Sequence, residues 1–345
     1  MLQKCGILKG LQNHNIANPS FCRYSPFMGK LLCAVCFLLL LGQSAYAKGA
    51  SPEKKYILLP NGETYAYIEQ GESGESGGDV ILLLHGNTSS SLHFLPLFAR
   101  LKNVRLVAPD MRGLGDSSYN GRISGLDELA GDIKLFADAL GIAQAHIVGW
   151  STGGGIALEL AAKYPEFARS LFIIEGVSYK GIPVFKSSVG ETPLPYSGRE
   201  DLAATRSMVL MLAALRDKNA YFMNMVWKAS IYTVKKPRAR DNRMYIAESL
   251  KQRNLVDINW ALMTFNMSNE HNGYSAGTDV INAIRCPVIF TSAEHDKVIP
   301  PSVAYENAAA IRGSKVLVYP KCGHSPMVDL PDRLAKDIMA HIGAR

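Results

Sequence analysis

Short apolar runs of strand length recur along the chain, at residues 55–60, 64–70, 79–85, 104–109, 145–150, 170–175, 287–292 and 315–320. Several are unbroken and apolar, as in "VILLL" and "LFII", which suits strands covered on both faces. Helical periodicity fills gaps at about 92–101, 126–140, 152–164, 301–311 and 331–342. Asp127 is placed to cap the second of these, and Pro331 to open the last. Alternation of strand and helix predicts an α/β fold with a mostly parallel, doubly wound sheet of eight strands. The first two runs, joined by "PNG" at 60–62, predict an antiparallel hairpin added to that sheet. "GESGESGG" at 71–78 reads as a polar loop.

The alternation stops between 177 and 276. That stretch has no convincing strand pattern, and its strongest pieces, "SMVLMLAALRDKNAYFMNMVWKAS" and "LVDINWALMTFNMS", are helical and rich in Met and aromatics. Inserted between two strands of one sheet, it predicts a helical lid. The organisation expected is therefore a core over 48–176 and 277–345, interrupted by a lid over 177–276. The basic run "KKPRAR" at 235–240 reads as a solvated lid loop.

The first 47 residues differ from the rest. From Met28, a cationic Lys30, an apolar run from Leu31 to Leu41 and small residues at Ala45 and Ala47 follow the three-part plan of a secretory signal peptide. The run is about 11 residues, short of the ~20 that span a bilayer, so no stable membrane span is expected in the mature form. Cleavage after Ala47, with Met28 as a candidate true start, predicts an exported protein, periplasmic or secreted. The leader changes two features of composition. The whole chain carries a formal charge of +7, but the leader holds four basic residues and no acid, which leaves +3 and gives no case for nucleic acid as a partner. It also holds Cys5, Cys22, Cys33 and Cys36, leaving Cys286 and Cys322. These two flank opposite ends of adjacent predicted strands, roughly 15–20 Å apart if the strands are parallel, too far for a disulfide.

Candidate chemistry centres on "HIVGWSTGGG" at 146–155, where Gly149-Trp150-Ser151-Thr152-Gly153 fits G-x-S-x-G directly after a buried strand and before a helix. A turn of that kind holds the serine in a strained backbone, with small neighbours relieving the crowding and the helix N-terminus facing the site. Serine needs a base. Of seven histidines after the leader, His324 lies in a Gly-bounded loop past the last strand, at the same sheet edge as Ser151. His146 lies inside a strand and reads as structural, while His295 neighbours the site. The base needs an acid to fix its tautomer. Asp296, after the penultimate strand, completes the chain order Ser, Asp, His, with Glu175 as the alternative and Asp329 read as a surface or capping residue. Backbone N–H groups of Thr152 and Asn87 are expected to form the oxyanion hole. "DMRGLGDSS" at 110–118 is expected to shape the same edge.

His85-Gly86-Asn87, Asp110 to Gly115, Gly149 to Gly153, Asp296 and His324 together resemble the α/β-hydrolase-fold serine hydrolases of the lidded, single-sheet type. "HGNTSSS" at 85–91 also resembles the oxyanion loop of haloalkane dehalogenases. There the nucleophile is an aspartate followed by tryptophan; here Ser151 is followed by Thr152, which argues against dehalogenation and epoxide opening. The resemblance implies a small-molecule, ester-like substrate and no cofactor, and no metal-binding pattern such as HExxH or clustered Cys and His is evident. Trp150, Met208, Met211, Trp227 and Met263 are candidate lining for an apolar substrate group, though the same residues could serve to pack the lid onto the core. The expected reaction is hydrolysis of a carboxylic ester. Lactonase, C–C bond hydrolase, peptidase and thioesterase chemistry use the same triad, and a non-catalytic ligand-binding relative is a further alternative.

Overall fold

The computed structural model describes residues 53–71, 79–186 and 194–343. The expected leader over 1–47, with Met28 and its four cysteines, lies outside them, as does most of the 71–78 loop.

Eight strands form one sheet: β1 (Lys55–Leu58), β2 (Thr64–Gln70), β3 (Val80–Leu84), β4 (Arg105–Pro109), β5 (Ala145–Trp150), β6 (Ala168–Ile174), β9 (Val288–Ala293) and β10 (Lys315–Tyr319). Their order across the sheet is β1-β2-β4-β3-β5-β6-β9-β10. From β4 to β10 all neighbours are parallel, while β2 runs antiparallel to both β1 and β4. Every residue of β3 and β5 is buried, which fits the unbroken apolar sequence of β3 and the mostly apolar one of β5, where His146 is the exception. Alternate side chains feed two cores. Leu82, Ile147 and Ile173 point into one, and Ile81, Val148, Trp150 and Phe172 into the other.

The flanking helices are α1 (Leu95–Phe98), α2 (Leu126–Ala139), α3 (Thr152–Lys163), α9 (Ser302–Ala310), α10 (Pro326–Asp329) and α11 (Pro331–Gly343). The helix expected over 92–101 is a 3₁₀ turn at Ser91–Phe94, capped by Ser90 and His93, followed by the four residues of α1. Asp127 sits inside the first turn of α2, whose N-cap is Gly125; it faces the positive end of the helix rather than capping it. Pro331 opens α11 as expected.

Among the described residues, five α-helices lie between β6 and β9: α4 (Arg199–Ala203), α5 (Arg206–Arg216), α6 (Ala220–Ser230), α7 (Ala239–Ser249) and α8 (Leu255–Thr264). The long helical piece over 207–230 breaks at Lys218, where φ is 50°, and restarts at Asn219, whose side chain accepts the Phe222 N–H. The stretch also contains a two-residue antiparallel pair, β7 (Phe185–Lys186) with β8 (Leu194–Pro195), which the sequence pattern does not signal. Among the described residues, no helix is long and apolar enough to cross a membrane.

Candidate active site

The elbow between β5 and α3 shows why its residues are small. A Cβ on Gly149 would lie 2.5 Å from Gly153 O, and one on Gly153 only 2.1 Å from Leu84 O. Ser151, between them, has φ 55° and ψ −121°, a conformation that costs a non-glycine residue about 1–3 kcal/mol. Its N–H donates to Ile174 O (2.9 Å) and its carbonyl accepts from Gly154 (2.8 Å), so neighbouring backbone holds the strain in place. Gly154 and Gly155 let α3 approach the sheet, since side chains there would meet Ile173 and Val177 within 2.9 Å.

His324 and Asp296 reach this edge from the loops after β10 and β9. His324 Nδ1 and Asp296 Oδ2 are 2.7 Å apart, with side chains only 2% and 0% exposed. Asp296 Oδ1 accepts the N–H groups of Val298 (2.7 Å) and Ile299 (3.0 Å), so the carboxylate is held at both oxygens. Trp150 joins this pair to the elbow: its indole N–H donates to His324 O (2.8 Å). That bond spans 174 residues and makes Trp150 part of the frame of the site, where the sequence alone suggests a pocket-lining residue. Glu175 stands near but bonds elsewhere, to Thr291 Oγ1 (2.6 Å) and Ala293 N (3.0 Å). Burial pushes its pKa up to about 7, against the opposing effect of those two bonds.

The loop 85–91 is packed against Ser151. A Cβ on Gly86 would lie 3.0 Å from Ser151 Cβ and 3.5 Å from its Oγ, which places Asn87 one residue from that contact. His85 braces the loop. Its Nε2 accepts Met111 N–H (3.0 Å), which leaves Nδ1 to donate to Gly86 O (2.8 Å), and burial lowers its basicity. Asp110 Oδ1 accepts Ser91 N–H (2.8 Å), so the Gly-rich 110–118 turn does shape this edge. Thr152 opens α3, where helix geometry gives its N–H no partner within the helix.

Other expected positions divide. His146 is buried and its Nδ1 meets Ser170 Oγ (2.7 Å), a structural setting. The His295 side chain is exposed, while its backbone N–H donates to Cys322 O and its carbonyl accepts from Thr233 Oγ1. Asp329 is not a surface residue. It is 1% exposed, and accepts Gly323 N–H and Lys235 N–H (both 2.8 Å), tying the His324 loop to the first lysine of an otherwise exposed basic run. Burial outweighs those bonds and raises its pKa. Cys286 and Cys322 form no disulfide with each other, in keeping with the parallel pairing of β9 and β10.

Trp150 and Trp227 are 2% and 1% exposed and belong to a buried aromatic cluster with His93 and Tyr245. Met208 and Met263 line a cavity of about 200 Å³ with Leu202 and Leu262, and Met211 packs half-buried on the same core. A larger cavity, about 530 Å³, lies between α2, α3 and α8 and is lined by none of the candidate site residues. Asp110, Asp116 and Glu248 converge within reach of one cation, but the Lys54 ammonium holds that place, 2.7, 2.7 and 2.5 Å from the three carboxylates.

Chemically, a carboxylate-held imidazole can move a proton, and a helix N-terminus can stabilise negative charge on a carbonyl oxygen. Known proteins share the scaffold that holds these groups. Lipase 1 of Psychrobacter immobilis is 24% identical over 294 residues, covering 84% of this chain and 83% of that protein. The 2-hydroxymuconate semialdehyde hydrolase of Pseudomonas putida is 28% identical over 294 residues, covering 83% and 93%. A solved esterase from Exiguobacterium antarcticum superposes with a TM-score of 0.65 at 18% identity, covering 84% of this chain and 100% of that one, a likeness of fold alone. The family model described as the α/β hydrolase fold matches residues 79–331, and with the sheet order above the chain belongs to that family.

Proposed function

We propose that the protein is an exported serine hydrolase that cleaves a carboxylic ester carrying an apolar group. The observation that carries this reading is the buried His324–Asp296 pair, 2.7 Å apart and tied through Trp150 to the Ser151 elbow. The names of the relatives, lipase and esterase among them, agree with it. His324 takes the Ser151 proton as Oγ attacks the ester carbonyl, and the N–H groups of Asn87 and Thr152 hold the oxyanion. Collapse of the tetrahedral intermediate breaks the C–O bond, and His324 returns the proton to the departing alcohol. Water, activated by the same imidazole, then releases the acid and restores Ser151. Asp296 keeps Nδ1 protonated so that Nε2 can act as base. The leader over 1–47 supports export, and the Met- and Trp-rich lid supports an apolar group.

Turnover of p-nitrophenyl esters of graded chain length tests this. Ser151→Ala is expected to lower kcat by ~10⁴-fold or more, and Asp296→Asn by ~10⁴-fold, while Glu175→Gln retains activity. Unchanged turnover in Ser151→Ala would remove the serine from the reaction. N-terminal sequencing of exported protein is expected to begin at Lys48.

A further inference from the structure

The lid segment Gln252–Asn254 lies between the 110–118 turn and the 85–91 loop. Arg253 N–H donates to Gly113 O (2.8 Å), and Asn254 Nδ2 donates to Arg112 O (2.7 Å). A Cβ on Gly113 would lie 2.8 Å from Asn254 Cβ, so this docking needs glycine there. Gln252 Nε2 then donates twice, to Asn254 Oδ1 (2.9 Å) and, across 165 residues, to Asn87 Oδ1 (2.7 Å). That same Asn87 oxygen accepts Thr88 N–H (2.9 Å), and Thr88 has φ 51°.

The orientation of each amide is forced. The Arg112 carbonyl can only accept, so Asn254 turns its nitrogen there and its oxygen to Gln252. Thr88 N–H can only donate, so Asn87 presents oxygen on the other side. Gln252 must therefore offer nitrogen to both. It is 4% exposed, and its own Oε1 is buried with no partner among the described residues. A residue serving only to fill space would not leave a buried acceptor unmet. What Gln252 supplies at this position is the pair of donors.

We propose that Gln252 is a positioning residue for the oxyanion hole. Through the Asn87 side chain it fixes the loop that presents the Asn87 N–H beside Ser151, so the hole is complete only with the lid seated. This rests on the ester-hydrolase reading above. Gln252→Met keeps the length and removes both donors. Its kcat is expected to fall about tenfold with KM within about twofold of wild type, less than the loss of a whole oxyanion donor. Affinity for an aryl trifluoromethyl ketone, whose tetrahedral adduct needs the same donors, falls by the same factor as kcat. Asn87→Ala, which keeps the backbone N–H, behaves likewise, and the double variant loses no more than Asn87→Ala alone.

An unchanged kcat, a change in KM alone, or additive losses of about a hundredfold in the double variant would overturn the proposal. Should Gln252→Met fail to fold, judged by near-ultraviolet circular dichroism, Asn254→Ala frees Gln252 from one acceptor and is read by the same split. Wild-type protein that cleaves no ester, with Ser151 unlabelled by a fluorophosphonate, defeats the ester-hydrolase reading. Active wild type with an unaffected Gln252→Met defeats only the role of Gln252.

Discussion

Glu175 and Asp296 are both acids at the C-terminal edge of adjacent strands, and their surroundings give them opposite roles. Asp296 is held at both oxygens and spans to His324, while Glu175 turns into the sheet with φ 44° and meets Thr291 and Ala293. A carboxyl whose pKa rises from 4.5 to about 7 on folding keeps its proton where the unfolded chain has lost it. Stability therefore falls as pH rises from 4.5 to 7 and levels off above, by about 3 kcal/mol at most. Glu175→Gln mimics the neutral form and is expected to flatten that slope, raising the denaturation midpoint at pH 8 and leaving it unchanged at pH 4. A midpoint that drops equally at both pH values would mean that the ionised carboxylate is needed. Sequence order pointed to Asp296, because the strand–loop positions follow from the run pattern. What order leaves open is which acid turns toward the histidine. Bonds such as Trp150 to His324 and Gln252 to Asn87 join side chains 174 and 165 residues apart and have no local signature.

Elements were legible where the physics that forms them is local. The runs at 64–70 and 145–150 match β2 and β5 residue for residue, because their central residues are buried and glycine-containing turns bound them. The same reading failed at 92–101, where Pro96 and the Ser90 cap convert an apolar stretch into a 3₁₀ turn and one helical turn. It also missed β7 and β8, since two residues are too few to show a period. The G-x-S-x-G turn was legible for a steric reason, which two substitutions separate from general glycine flexibility. Gly153→Ala drives a Cβ into the carbonyls of Leu84 and His85, at 2.1 and 2.6 Å, atoms that cannot give without moving β3. The variant is expected to be inactive and poorly folded. Gly131, inside α2, has nothing within 4 Å of its Cβ position. Gly131→Ala should stabilise by about 0.5–1 kcal/mol in urea denaturation and leave turnover unchanged.

At the scale of the molecule, the lid is joined to the sheet by charge as well as by apolar contact. Lys54, just before β1, places one ammonium against Asp110 and Asp116 from the turn after β4 and Glu248 from α7. Lys251 adds a second cation, bonded to Asp116 and Glu248. Lys54, Asp110 and Glu248 are nearly buried, at 7%, 0% and 6% side-chain exposure, whereas Asp116 and Lys251 are about one-third exposed and solvent weakens their share. Removing the central cation leaves three carboxylates around one remaining lysine, and breaking a buried pair this way costs about 3–5 kcal/mol. Lys54→Met is therefore expected to lower the midpoint of denaturation sharply. In wild type the cations lower the Asp116 pKa against the effect of burial, so this contribution is present at neutral pH and is lost on acidification. In the variant the sign reverses, because protonating one of the crowded carboxylates relieves repulsion. Its deficit against wild type should narrow from pH 8 to pH 5, and Glu248→Gln in the Lys54→Met background should recover part of the loss at pH 8. A deficit that is the same at both pH values would show that the Lys54 stem, and not its charge, holds the lid to the sheet.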